Sequence, residues 1–177
     1  AQIVNATVDA VTDNDRTLTA TLSNGETVAA RSIIVASGVD DEHPAIPGLQ
    51  ENWGNTVLHC PYCHGYEVAD KKLGVLCIGE FSFHHAAVLR QWSKDITFFT
   101  NGMEFTDEQR ADLTRRGIAL IDGPVTAFQD GKVLLESDEH AVDALFYMPI
   151  PRPHDEFLAD LNLKRHSPPP AMGGSLI

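Results

Sequence analysis

Apolar and polar positions alternate over residues 2–10 and again over 17–22, the period of a strand with one covered face. Asp13-Asn14-Asp15 separates the two runs and Ser23-Asn24-Gly25 follows them. With residues 27–31 they predict a meander of antiparallel strands. The alternation then stops. Residues 32–36 are a continuous apolar run ending at Ser37-Gly38, which predicts a parallel strand buried on both faces. Ligands of α/β sheets bind at the carboxyl ends of such strands, which makes Ala36, Ser37 and Gly38 candidate cofactor contacts.

Residues 40–49 carry Pro44, Pro47 and Gly48, punctuation that predicts a domain boundary. A second buried strand is expected over 73–78, then a glycine turn at Gly79 and a helix from His84 to Trp92. That is the opening of a βαβ unit, which residues 96–99 continue as the next parallel strand. A helix capped by Thr106 should run to Gly117, with Glu108 and Gln109 in its first turn, and 118–121 supply another strand. Residues 125–129 and 132–136 flank the turn Asp130-Gly131 as an antiparallel pair, and 144–148 return to the sheet. Pro149, Pro151 and Pro153 mark a second crossing. The pattern is α/β, with boundaries expected at 1–44, 45–150 and 151–177.

Composition narrows the partners. The 177 residues are 43% hydrophobic, enough for a real core, and carry a formal net charge of −12. Without clustered Lys and Arg, a nucleic-acid partner is not expected. No run approaches the ~18 apolar residues of a membrane span, so no membrane association is expected. Three cysteines, two of them in one motif, fit a reducing cytoplasm. The chain begins within an expected strand and ends without a closing element, as a piece of a longer protein would.

The chemistry concentrates at His59-Cys60-Pro61-Tyr62-Cys63-His64-Gly65-Tyr66. In a Cys-x-x-Cys pair one sulfur stabilises the charge of the other, and the thiolate is the form that attacks disulfides. Pro61 stiffens the turn. His64 can hold or deliver the proton that moves when a disulfide opens. Three plainer readings compete. A structural disulfide would close too small a ring to stabilise much. Zinc would need two more ligands, whereas Cys77 lies inside an apolar run. Cys-x-x-Cys-His also matches c-type haem attachment, but the chain shows no export segment.

Taken together, Ile33-Ile34-Val35-Ala36-Ser37-Gly38, the Ile46-Pro47-Gly48 linker, the Cys60/Cys63 pair and the strand-glycine-helix unit at 73–92 resemble the low-molecular-weight thioredoxin reductase family. The wording Cys60-Pro61-Tyr62-Cys63-His64-Gly65-Tyr66-Glu67 is closer to a subgroup that includes gliotoxin-type dithiol oxidases. The resemblance implies a Rossmann-like, three-layer NAD(P)-binding domain with a parallel sheet and a β-meander, inserted into a second, FAD-binding domain. Residues 1–44 would be part of that FAD-binding domain and 151–177 the return to it. It further implies electrons passing between FAD and a Cys60/Cys63 disulfide, Cys63 facing the flavin, Cys60 exchanging with substrate and His64 acting as acid/base. The substrate would be a small dithiol or a thioredoxin-like protein, and the assembly a homodimer. The family's amino-terminal flavin glycine loop and its carboxyl-terminal Gly-Asp flavin motif do not occur in these residues.

The nucleotide turn is unusual. A dinucleotide site favours Gly-x-Gly-x-x-Gly so that backbone can approach the pyrophosphate. Here Gly79, Glu80 and Ser82 are the candidate contacts, with Phe81 where the close-approach glycine would stand. The loop Thr100-Asn101-Gly102 lacks arginines for the 2′-phosphate of NADP, which leaves NADP or NAD open as donor. One alternative is therefore an FAD-dependent dithiol oxidase using oxygen without NADPH. Another is a non-catalytic binding or assembly domain with a degenerate nucleotide loop. His84 and His85 are expected to pack or cap, Phe81, Phe83, Phe98 and Phe99 to be core, and residues 138–143 to form a solvated turn.

Overall fold

The computed structural model describes residues 2–164. The described residues divide into two compact units, one comprising residues 2–41 and 151–164, the other Glu42–Ile150. In the first, β1 (Val8–Asp13), β2 (Leu18–Leu22) and β3 (Thr27–Ala30) form the antiparallel meander, in that order. Val11 and Ala20 on its covered face bury against Leu158 of the 3-10 helix Glu156–Leu161. β4 (Val39–Glu42) pairs with the strand Ile150–Pro153.

Two expectations fail in this unit. Residues 2–7 are not strand, and Ile3 is 94% exposed. Residues 32–38 are irregular rather than a buried strand, with Ile34 at 93% exposure. A run that is apolar on both faces needs strand partners on both edges, and no described residue pairs with it.

The second unit is a three-layer sandwich. Its central sheet is wholly parallel, in the order β5 (Val57–Leu58), β12 (Ala144–Phe146), β6 (Leu73–Leu76), β7 (Ile96–Phe99), β8 (Ala119–Ile121). The two-residue period of a strand sends alternate side chains to opposite faces. Leu73, Val75, Ile96, Phe98, Ala144 and Phe146 meet helices α2 (Phe81–Leu89) and α3 (Asp107–Arg115) through Ala86, Leu89 and Leu113. Leu76, Phe99, Leu145 and Tyr147 face Val125, Phe128 and Val133 of the antiparallel sheet β9 (Val125–Gln129), β10 (Lys132–Leu135), β11 (Glu139–Ala141). The Rossmann-like three-layer architecture expected from the resemblance is thus present.

α3 starts at a capping box, with the Thr106 hydroxyl accepting from the Gln109 amide at 3.2 Å and Gln109 Oε1 accepting from the Thr106 amide at 2.9 Å. α2 begins at Phe81, three residues before the expected start. Residues 138–143 are more than a solvated turn: β11 lies on the sheet edge and Lys132 pairs with Glu139 at 2.5 Å. β5, at two residues, is too short to show a period in the sequence.

Candidate active site

The two-cysteine motif leaves the carboxyl end of β5, which is held in the sheet by β12. Cys60 keeps an extended backbone (φ −98°, ψ 117°) and caps the one-turn helix α1 (Pro61–His64), whose first position Pro61 fills. A proline there has no amide to leave unpaired and already holds a helical φ. The Cys63 and His64 amides both donate to the Cys60 carbonyl at 3.1 Å, which fixes the cysteines across one turn. Gly65 follows at a point where a Cβ would lie 2.5 Å from the Trp92 indole. No side chain fits there without displacing one of them.

Cys60 is half-buried, Cys63 is exposed, and the two sulfurs are unbridged. Burial pushes the Cys60 thiol up, but hydrogen bonds from the Cys63 thiol and from the Cys63 and Tyr62 amides more than offset it, and its pKa is lowered. The same thiol–thiol hydrogen bond, with repulsion from Cys60, raises Cys63. The pair is therefore asymmetric: Cys60 gives up its proton more readily than an ordinary cysteine and Cys63, which hydrogen-bonds it, less readily. His64 Nδ1 lies 3.3 Å from Glu67 Oε2 at the mouth of the turn. Cys77 is buried and burial raises its thiol, so it takes no part in this chemistry.

A hollow of about 110 Å³ opens beside Cys60, between Pro61 and Tyr62 on one side and Phe81, His85, Val88 and Met148 on the other. His85 is 2% exposed, and burial pushes its pKa down to about 4, assisted by neighbouring His59 and His84. It is a neutral imidazole in the wall of this hollow. The expectation that His84 and His85 would pack or cap holds for His85, while His84 is exposed. Neither the hollow nor the place of His85 in it was legible in the sequence, because His59 and His85 meet through the fold. Among the described residues no group of three or more His, Cys, Asp or Glu side chains is arranged to hold a metal.

The remaining candidates separate into two groups. Gly79 and Glu80 lie in the turn from β6 to α2, and Ser82 in the first turn of α2. Ser82 is buried and its hydroxyl accepts from the Ile78 amide at 3.2 Å. A Cβ on Gly79 would meet nothing within 4 Å. Phe81 leans over His84, with ring centroids 5.0 Å apart. In the Thr100-Asn101-Gly102 loop, Asn101 Oδ1 accepts from the Val125 amide.

Ala36, Ser37 and Gly38 belong to the first unit. Ala36 and Ser37 line an open hollow of about 730 Å³ with Val8, Val11 and Phe157. The Ser37 hydroxyl donates to the His154 carbonyl at 2.5 Å, and Gly38 has φ +79°. His154 Nε2 meets Asp40 at 3.0 Å. This Asp-His pair faces the Ser37 backbone carbonyl rather than its hydroxyl, so no nucleophilic triad forms.

No family model matches the chain. It is 39% identical over 85 residues to a protein named thioredoxin reductase tcpT of Claviceps purpurea, covering 45% of this chain and 26% of that protein. It is 30% identical over 132 residues to thioredoxin reductase sirT of Leptosphaeria maculans, covering 68% of this chain and 40% of that protein. The chain thus spans less than half the length of these relatives. Among solved structures it is similar to HlmI, with a TM-score of 0.84 at 37% identity over 94% of this chain and 56% of that one. It also matches an oxidoreductase from Agrobacterium tumefaciens, with a TM-score of 0.87 at 34% identity over 97% of this chain and 58% of that one. Among the described residues no helix is long and apolar enough to cross a membrane.

Proposed function

We propose that this thioredoxin reductase-like chain is the redox-active part of a flavin-dependent thiol–disulfide oxidoreductase, with Cys60 and Cys63 as the pair that is oxidised and reduced. The observation that carries the reading is the asymmetry of the pair: hydrogen bonds from the other sulfur and from two backbone amides lower the pKa of one half-buried sulfur, while that of its partner is raised. In the reductive direction the Cys60 thiolate attacks a substrate disulfide and forms a mixed disulfide. The leaving thiolate takes a proton that His64, beside Glu67, is placed to supply. Cys63 then attacks the Cys60 sulfur, the second substrate thiol leaves, and the Cys60–Cys63 disulfide closes. Two electrons have passed from the cysteines to the substrate, and the reverse sequence oxidises a dithiol. FAD, when bound, supplies the two-electron exchange with the cysteine pair.

The described residues fit only part of a flavin site. Ala36, Ser37 and Gly38 would lie along one apolar wall, and no glycine-rich strand-to-helix turn accompanies them in the first unit to take a pyrophosphate. We assign residues 1–44 and 151–177 to an FAD-binding domain and 45–150 to the domain inserted in it. The assembly would be a cytoplasmic homodimer, and its substrate a small dithiol or a thioredoxin-like protein.

One observation favours the oxidase form of this reading. Residues 79–82 do not fit a dinucleotide in the usual mode, because Ser82 is engaged, Phe81 fills the close-approach position and Glu80 places a negative charge at the helix start. Such an enzyme would pass electrons from a dithiol through flavin to oxygen without NADPH. The test is an absorbance scan of the full-length protein followed by anaerobic addition of dithiothreitol and, separately, NADPH. Bleaching by both supports a reductase, and bleaching by the dithiol alone supports an oxidase. Colourless protein that takes up no FAD would remove the flavin from the account.

A further inference from the structure

The redox turn is a helix too short to hold itself. α1 (Pro61–His64) has four residues and no side-chain cap, and a single helical turn fixes more backbone freedom than its few hydrogen bonds offset. Tyr62 and Cys63 on it are exposed. Its two ends are the buried parts, Pro61 at the start and Gly65 just past His64. Gly65 has φ −58° and ψ −35°, a helical backbone that any residue adopts, so glycine stands there for its missing side chain. A Cβ at that position would lie 2.5 Å from Trp92 Cδ1 and Nε1 and 2.6 Å from Cε2.

Trp92 also holds the chain beyond the redox turn. Its carbonyl accepts from the Asp70 amide at 2.9 Å, and Asp70 has φ +60°, in the left-handed region. Residues 65–70 are thus fastened at one end by the indole and at the other by the carbonyl of the same residue. The three indole atoms nearest Gly65 form the pyrrole edge of the ring, and Nε1 on that edge is buried with no hydrogen-bond partner among the described residues. An unpaired buried donor carries a desolvation cost. A phenyl ring would fill this side of the core without it. Core filling therefore does not account for an indole at this position, whereas the reach of its pyrrole edge to Gly65 does.

We propose that Trp92 is a positioning residue of the redox pair: by bracing Gly65 it holds the backbone of α1 in the geometry at which the two sulfurs meet. The inference rests on the redox role of Cys60 and Cys63 and adds to it the residue that sets their alignment. The effect travels through backbone. The Gly65 amide donates to the Pro61 carbonyl, and the Cys63 and His64 amides donate to the Cys60 carbonyl at 3.1 Å. The groups that hydrogen-bond the Cys60 sulfur, which are the Cys63 thiol and the Cys63 and Tyr62 amides, all belong to this turn. A turn that loosens at Gly65 loses their alignment, and the disulfide closes less readily. Trp92 itself makes and breaks no bond.

Trp92→Phe keeps an aromatic ring in the core and withdraws the pyrrole edge. In the full-length protein equilibrated with glutathione buffers, the equilibrium constant for closing the Cys60–Cys63 disulfide should fall about threefold to tenfold, the worth of weakening one hydrogen bond. The alkylation rate of Cys60 near neutral pH should fall with it. Leu113→Ala is the comparison, since it removes packing from the same core through α3 and should lower the melting temperature without moving either readout. Gly65→Ala presses the same contact from the other side and should lower the constant too, whether or not Trp92→Phe folds. An unchanged constant in folded Trp92→Phe or in Gly65→Ala overturns the positioning role and leaves the redox pair intact, as does an equal fall in Leu113→Ala. An unsubstituted protein whose cysteines close no disulfide at any glutathione ratio overturns the redox reading and the positioning role together.

Discussion

Gly65→Ala is the substitution that the geometry of the redox turn constrains most sharply. Its Cβ would lie 2.5 Å from Trp92 Cδ1 and Nε1 and 2.6 Å from Cε2, where apolar contacts settle at about 3.5–4.0 Å. Either the indole or the turn carrying His64 must move by about 1 Å. The Trp92 backbone is fastened at both groups: its amide donates to Leu89 and its carbonyl accepts from Asp70, each at 2.9 Å. The indole packs against the helix-side core, so it has little room to yield. Overpacking of this kind costs about 1–3 kcal/mol, and at roughly 2–4 °C per kcal/mol for a chain of this size the melting temperature should fall by about 2–12 °C. Thermal unfolding followed by tryptophan fluorescence reads both the midpoint and the environment of the ring. In a Trp92→Leu background the same substitution should cost less, since the two sites share one contact. An unchanged midpoint with unchanged fluorescence in Gly65→Ala would refute the reasoning.

Three further outcomes are expected. Cys63→Ala should raise the pKa of Cys60 by removing the thiol that hydrogen-bonds it, and Cys60→Ala should let Cys63 fall toward its ordinary value; alkylation rate against pH reads both, and two unmoved profiles would contradict the pairing. The folded pKa of His85, about 4, lies below its ordinary 6.5, so protonation favours the unfolded chain: stability should decline as pH falls from about 6.5 toward 4, by a total on the order of 3 kcal/mol, and urea midpoints of His85→Phe should lack that part of the slope. His154 is raised above 6.5 by hydrogen bonds to Asp40 and to the Ser37 carbonyl; its contribution is fully present below pH 6.5 and is lost as pH rises through the folded pKa, and Asp40→Asn should bring the titration of His154 down in a nuclear magnetic resonance experiment.

The parts of the fold that the sequence revealed are those whose neighbours lie nearby in the chain. The capping box at Thr106 needs only four consecutive residues, and β7 appears in the sequence at its observed bounds because Ile96–Phe99 is bracketed by polar positions. The run at 32–36 misled for the opposite reason. Its apolar pattern anticipates strand partners, and no described residue pairs with it. β11 was hidden by its acidic composition, since a sheet edge tolerates charge and Lys132 neutralises Glu139 across the pair. The cysteine motif announced its chemistry because its spacing is itself the chemistry. The hollow beside it did not, because Cys60, His85 and Met148 come from three separate segments that only the fold brings together.

Cys60 and Cys63, as proposed, form a reversible two-electron couple. Incubating the chain across a series of glutathione redox buffers, trapping free thiols with an alkylating agent and weighing the peptide that holds both cysteines tests it without any assumption about cofactors. A single transition is expected in which both cysteines lose their label together and the peptide loses two hydrogens, with Cys77 outside the couple. A peptide whose two cysteines remain independently alkylated across the whole range, or carry separate glutathione adducts in place of the intramolecular disulfide, would contradict it.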